Sequence, residues 1–138
     1  MITSQTSQIK QEKLILSSVE NEQSFNEIVT KIDAMYAKSN PFWMFIETKH
    51  VKKVHLQYLY KIGKYLNSVR KTYPRYLQYT YIYVYDDNVF NLLYTLFTFV
   101  SKPIAKVTVI YYENEERQSD NPTNIKKIKE YYPHIETK

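Results

Sequence analysis

The chain reads as an α/β protein: a single domain of four or so mostly parallel strands with helices packed on the sheet. Residues 79–85 run Tyr-Thr-Tyr-Ile-Tyr-Val-Tyr, a strict period of two that belongs to a strand. The stretches before and after it repeat apolar residues at three- and four-residue steps, the period of a helix. Strand-like and helix-like segments alternate along the chain, so each pair of strands is joined through a helix, the connection that parallel pairing requires. With 138 residues there is enough chain for one properly buried core.

Residues 1–11 are polar and without periodicity and predict a flexible tail, leaving 12–138 as the domain. Lys13–Val19 predicts a strand, with Leu14 and Leu16 on one side and Ile15 on the other. Ser24 with Glu27 has the spacing of a capping box. Behind it Phe25, Ile28, Val29, Ile32, Met35 and Tyr36 mark an amphipathic helix to about Lys38. Phe42–Thr48 is nearly continuous apolar sequence, which predicts a central strand covered on both faces. A helix over Val54–Thr72 carries Leu56, Leu59, Ile62, Leu66 and Val69 on one stripe. It also contains Gly63, the only glycine, whose expected role is close packing against the sheet.

After the tyrosine strand, Asp86, Asp87 and Asn88 can accept the free N–H groups of a helix start, with Asp87 or Asn88 as the expected cap. The helix from Val89 to Val100 is apolar all round and too short for a bilayer, which needs about 20 residues. Pro103 ends it, and Val107–Tyr112 predicts the next strand. Asn121-Pro122 has the form of a helix start. Ile125, Ile128 and Tyr131 supply its stripe, Pro133 its end, and the charged run 113–121 the loop before it.

A helix running into Tyr73-Pro74, then a strand, an acidic turn, an apolar helix with a Lys102-Pro103 exit and another strand resembles the core of the CRAL-TRIO lipid-binding domain. The same order is similar to that of STAS domains; the resemblance spans about residues 42 to 112. The chain lacks the length for the N-terminal helical bundle and full lipid pocket of typical CRAL-TRIO proteins. It also lacks the Asp-Ser pair that bacterial anti-anti-sigma STAS proteins present for phosphorylation, its corresponding turn being Glu47-Thr48-Lys49-His50. The resemblance implies a non-catalytic binding module acting through protein contacts or weak lipid contacts.

The absence of cysteine excludes disulfides and thiolate metal sites, and no cationic, apolar leader opens the chain, so the expected setting is intracellular and cytoplasmic. One glycine leaves no glycine-rich phosphate loop, which removes the Rossmann and P-loop classes. No cofactor is expected.

Four constellations could carry function. Lys49, Lys52, Lys53, Lys61, Lys64, Arg70, Lys71 and Arg75 stand with His50 and His55 in a stretch free of acids, enough charge to attract the phosphates of nucleic acid or anionic lipid. A solvated helix face in a lysine-rich chain of net charge +5 is the simpler account of them, since no recognisable nucleic-acid-binding motif accompanies the charges. The face of Tyr79, Tyr81, Tyr83 and Tyr85 could stack bases, but under helices on both sides of the sheet these rings are expected in the core. Glu47, Asp86, Asp87 and Glu113, with His50, fall at the carboxyl ends of strands, where open parallel sheets place ligands; capping and solvation are the simpler roles. Phe90, Tyr94, Phe97 and Phe99 cannot all face one sheet, so part of the apolar helix is expected to meet a further element, a protein partner, a second copy or a lipid surface. The expected partner is a protein or a second copy; nucleic acid bound by segment 49–75 is the alternative.

Overall fold

The structure is a computed structural model and describes residues 9–113 and 125–133. Its elements in order are β1 (Lys10–Val19), α1 (Glu22–Ala37), β2 (Phe42–Val54), α2 (Leu56–Thr72), β3 (Leu77–Val84), α3 (Asp87–Thr95), β4 (Lys106–Tyr112) and β5 (Ile125–Tyr131). A π-helical turn, Leu96–Val100, continues α3 without a break. The strands form one sheet in the order β1-β2-β3-β4-β5, the first four parallel and β5 antiparallel to β4.

That consecutive order decides where the helices go. Each of the three crossovers steps one strand in the same direction, and crossovers of one hand stepping one way deliver their helices to one face. The buried clusters agree. Leu14, Phe42, Met44 and Leu77 of the sheet pack with Ile32, Met35 and Tyr36 of α1 and Val69 of α2. Ile82, Val84, Val107, Val109 and Tyr111 pack with Leu59 of α2, Val89 of α3 and Leu96 and Phe97 of the π turn. Every strand residue among these lies on the same side of the pleat. Among the described residues, no helix contributes to a cluster with the other side.

Two expectations are corrected by this arrangement. Among the described residues, β2 is covered on one face, not two. The tyrosine face of β3 is not core beneath helices but the side from which the described helices are absent.

Local boundaries follow identifiable chemistry. Asn21, not Ser24, caps α1: its side chain accepts the Ser24 N–H at 2.9 Å and the Ser24 hydroxyl accepts the Asn21 N–H at 3.2 Å, so the capping box lies three residues earlier than Ser24–Glu27. Asp86, not Asp87 or Asn88, caps α3 by accepting the Val89 N–H at 2.9 Å. Asp33 on α1 accepts the hydroxyls of Tyr65 (2.6 Å) and Tyr73 (3.2 Å), which pins α1 to α2. Lys10 and Gln11 belong to β1, opposite Phe42 and Trp43, and not to the tail.

β2 runs six residues past Thr48, because Ser18 beside it accepts the Lys52 and Lys53 N–H groups at 2.7 and 3.0 Å across an irregular stretch of the β1 pairing. Ile125–Tyr131 is a strand, not the expected helix, whose start at Asn121-Pro122 lies outside the described residues, as does most of the loop before it. Its three-residue apolar steps are helical, and as a strand they send Ile128 to the face opposite Tyr131. Pairing with the otherwise open edge of β4 decides the matter, and the lysines between them suit an outer strand.

The only glycine is tightly packed, against the π turn and not the sheet. A Cβ at Gly63 would stand well inside van der Waals contact with Val100 Cγ1 and 3.4 Å from Ser101 Cβ. Between helices and sheet lies an apolar cavity of about 140 Å³, lined by residues such as Leu14, Ile32, Met44, Leu59, Ile82 and Leu93.

Candidate functional site: the helix-free face of the sheet

Successive residues of a strand point to opposite faces, so the burial of Met44, Ile82 and Val109 beneath the helices sends Phe45, Tyr81, Tyr83, Thr108 and Ile110 to the other side. The pairing register arranges this face in three rows. Gln11, Trp43, Tyr79 and Lys106 form the first, with Tyr132 beyond Lys106; Lys13, Phe45, Tyr81, Thr108 and Glu130 form the second; Ile15, Glu47, Tyr83, Ile110 and Ile128 form the third. Ile15, Ile128 and Tyr132 at its margins are about half exposed.

The aromatic residues in the middle are packed on one another. Tyr81 stacks on Phe45 at 5.3 Å between ring centroids and on Tyr79 at 5.2 Å, with interplanar angles of 13° and 12°, and Trp43 tilts against Tyr79 at 5.5 Å. Further along, Tyr85 stacks on Tyr112 at 5.8 Å. These offset stacks already occupy ring faces that a nucleic-acid platform would offer to bases.

The charges are balanced. Across the three rows the basic side chains Lys13 and Lys106 stand against the acidic Glu47 and Glu130. Lys106 lies 3.3 Å from Glu130 and over the rings of Tyr79 and Tyr132 at 5.4 and 5.3 Å. Its bond with Tyr79 and its pairing with Glu130 raise the Lys106 ammonium above its ordinary value. The Tyr132 hydroxyl, which donates to Glu130 at 2.6 Å, and Lys106 hold the Glu130 carboxyl below the usual range.

The basic segment does not gather into one patch. Lys49, Lys52 and Lys53 sit on the far end of β2, Lys61 and Lys64 on the first half of α2, and Lys71 and Arg75 at or beyond its other end, with about 15 Å of helix between Lys61 and Lys71. Lys61 pairs with Glu22 and lies over Phe25 and Tyr58. Arg70 donates to the Lys102 and Pro103 carbonyls at 3.3 and 3.4 Å and to Asn67, fixing the exit of the π turn.

The apolar helix is likewise divided. Phe97 is buried against Tyr131 at 5.2 Å, and Phe90 stacks on Tyr111 at 5.2 Å. Phe99, 73 % exposed, meets the exposed Tyr94 edge-on at 6.0 Å. Residues five apart diverge on an α-helix but return to one side on a π turn, where the Ser101 N–H reaches the Leu96 carbonyl at 2.9 Å.

The acids at the strand ends separate too. Asp86 is a cap, Asp87 accepts the Tyr111 hydroxyl, and Glu47 lies within the open face. Among the described residues no three His, Asp or Glu stand where they could hold a metal, and no helix is long and apolar enough to cross a membrane.

Trp43, Phe45, Lys13, Lys106 and Glu130 are the residues of the face that sequence reasoning missed. The signal was the contrast within each strand. Tyr79, Tyr81 and Tyr83 alternate with Thr80, Ile82 and Val84, and Trp43, Phe45 and Glu47 with Met44, Ile46 and Thr48, whereas a strand buried twice is aliphatic throughout. Comparison with known families, curated proteins and solved structures finds no match to this chain in any of the three.

Proposed function

We propose that the protein is a non-catalytic binding module whose working surface is the helix-free face of the sheet, and that a protein surface occupies it. One observation carries the reading: the two central parallel strands, β2 and β3, present a contiguous aromatic face, flanked by β1 and β4, on which no described helix packs, whereas sheets of this kind are ordinarily covered on both sides. The consecutive strand order supports a binding role over catalysis, since the parallel part has no reversal of order and so lacks the crevice where open α/β sheets hold cofactors. A binding module is also what the resemblance to STAS and CRAL-TRIO domains implies.

Nucleic acid is the competing reading, and two observations weigh against it. The face carries as many acids as bases, and the lysines and arginines of segment 49–75 are spread along β2 and α2.

Trp43, the only tryptophan, reports directly on this face. In the full chain an occupant must shield Trp43 from acrylamide quenching, and Tyr81→Asp must abolish that shielding while the far-UV spectrum stays unchanged. Titration with oligothymidylate and with phosphatidylserine vesicles should leave Trp43 unaltered. Salt-sensitive quenching by the oligonucleotide would replace protein with nucleic acid as the occupant, and shielding by the vesicles would replace it with lipid.

A further inference from the structure

We propose that a second copy of this chain covers the open face, packed sheet on sheet about a two-fold axis that runs parallel to β3. The inference rests on the reading of that face as the binding surface and adds the identity of the occupant.

The register supplies the argument. A two-fold axis along β3, lying between the sheets, carries β1 of one copy over β5 of the other and keeps each row opposite itself. In the second row Lys13 then faces Glu130 of the other copy, and Glu130 faces its Lys13. In the third row Ile15 and Ile128, both about half exposed in the single chain, face each other. In the first row Trp43 lies opposite Lys106, an approach of cation to indole face. Tyr79, Tyr81 and Tyr83 stand on the axis and meet their own copies, the placement that an isologous contact requires of its central residues. Glu47, which already has a partner within its own chain, faces Ile110.

The alternative face-to-face dimer, with its axis perpendicular to the strands, sets Lys13 on Lys13 and Glu130 on Glu130. Like charges reject it.

Size agrees. Five strands spaced about 4.8 Å apart and about seven residues long at 3.3 Å each give about 550 Å² per face. Two copies would cover about 1,100 Å², just above the roughly 1,000 Å² expected of a specific interface. Aligned sheets pack about 10 Å apart and rotated by about 30°, which offsets the two margins by about 5 Å, within reach of a lysine side chain. Within one chain Lys13 and Glu130 lie four strand spacings apart, about 19 Å, so they interact only between copies.

The test is a dilution series of the full chain by sedimentation velocity, with acrylamide quenching of Trp43 read on the same samples. The expected result is a monomer–dimer equilibrium in which Trp43 is shielded in step with dimer formation. Lys13→Glu and Glu130→Lys should each weaken the dimer about tenfold or more, because the two-fold repeats each repulsion. Because Glu130→Lys also removes the bonds to Lys106 and Tyr132 of its own chain, the double reversal K13E/E130K should dimerise more tightly than E130K alone, an outcome that loss of folding could not mimic. A chain that stays monomeric overturns the self-pairing and leaves the open face as the binding surface. A dimer whose Trp43 remains as quenchable as in the monomer also overturns the self-pairing across this face, since association then runs through another surface. A shielded dimer in which K13E/E130K associates no more tightly than E130K alone overturns the orientation, and with it the proposal.

Discussion

Replacing Gly63 with alanine sets two effects of known size against each other. Alanine in the middle of a helix is worth about 1 kcal/mol over glycine, so α2 taken alone would gain. Against that, the added methyl meets Val100 Cγ1. Carbon atoms rest about 3.5–4.0 Å apart, so one of the two must retreat by about an ångström or more. Val100 is β-branched and stiff at χ1, and its backbone is fixed by the π turn and by the Arg70 bonds just beyond it, so it yields poorly. Overpacking of this kind costs about 1–3 kcal/mol. The expected net change for Gly63→Ala is a loss of about 1 kcal/mol, a fall in Tm of about 3–5 °C for a chain of this length. Urea unfolding followed by far-UV circular dichroism measures it. In a Val100→Ala background the obstructing methyl is gone, and the same glycine substitution should then stabilise by about 1 kcal/mol. If Gly63→Ala stabilises the native chain, or has the same sign in both backgrounds, the close approach of α2 to the π turn is not what keeps glycine at this position.

Two further outcomes are expected. Phe97→Ala, which empties a buried site against Tyr131, should cost about 3–5 kcal/mol, and Phe99→Ala, two residues on, should stay within about 0.5 kcal/mol; equal losses in urea midpoint would place Phe99 in the core. Burial of its ring, and then its bond to Asp87, push the Tyr111 hydroxyl from the ordinary 10.0 up to about 12. A folded-state value above the unfolded one means that its stabilisation is complete below pH 10 and is lost as the pH rises toward about 12. Stability should therefore fall across that window, and Tyr111→Phe should make the fall shallower; an unchanged slope would remove Tyr111 from the alkaline transition.

What the sequence showed were the local periods. The Tyr79–Tyr85 alternation, the stripes of α1 and α2 and the acidic start of α3 all appear near their expected places, because each depends on residues a few positions apart. Strand order was not legible, since any of the parallel strands could neighbour any other on apolar pattern alone. The one-sided placement of the helices depends on that order, so Tyr79, Tyr81 and Tyr83 were assigned to the core. The π turn escaped for a related reason. At about 100° per residue, Tyr94 and Phe99 stand about 140° apart, and one wider turn brings them together. Ile125–Tyr131 was misassigned because its three apolar residues recur at the helical step and its partner, β4, is separated from it by a long connection.

The order of the strands also bears on how the sheet is made. Each parallel partner is the next strand in the chain, so assembly resembles chain growth: β1, α1 and β2 can close as one unit, and each later helix and strand adds to the edge left by its predecessor. During synthesis no strand has to wait for a distant partner. Such growth needs a terminator, because the newest edge is always adhesive. β5 fills that role: it pairs in the opposite direction and carries lysines at 126, 127 and 129, turning a sticky margin into one that discourages the next strand, whether of this chain or another.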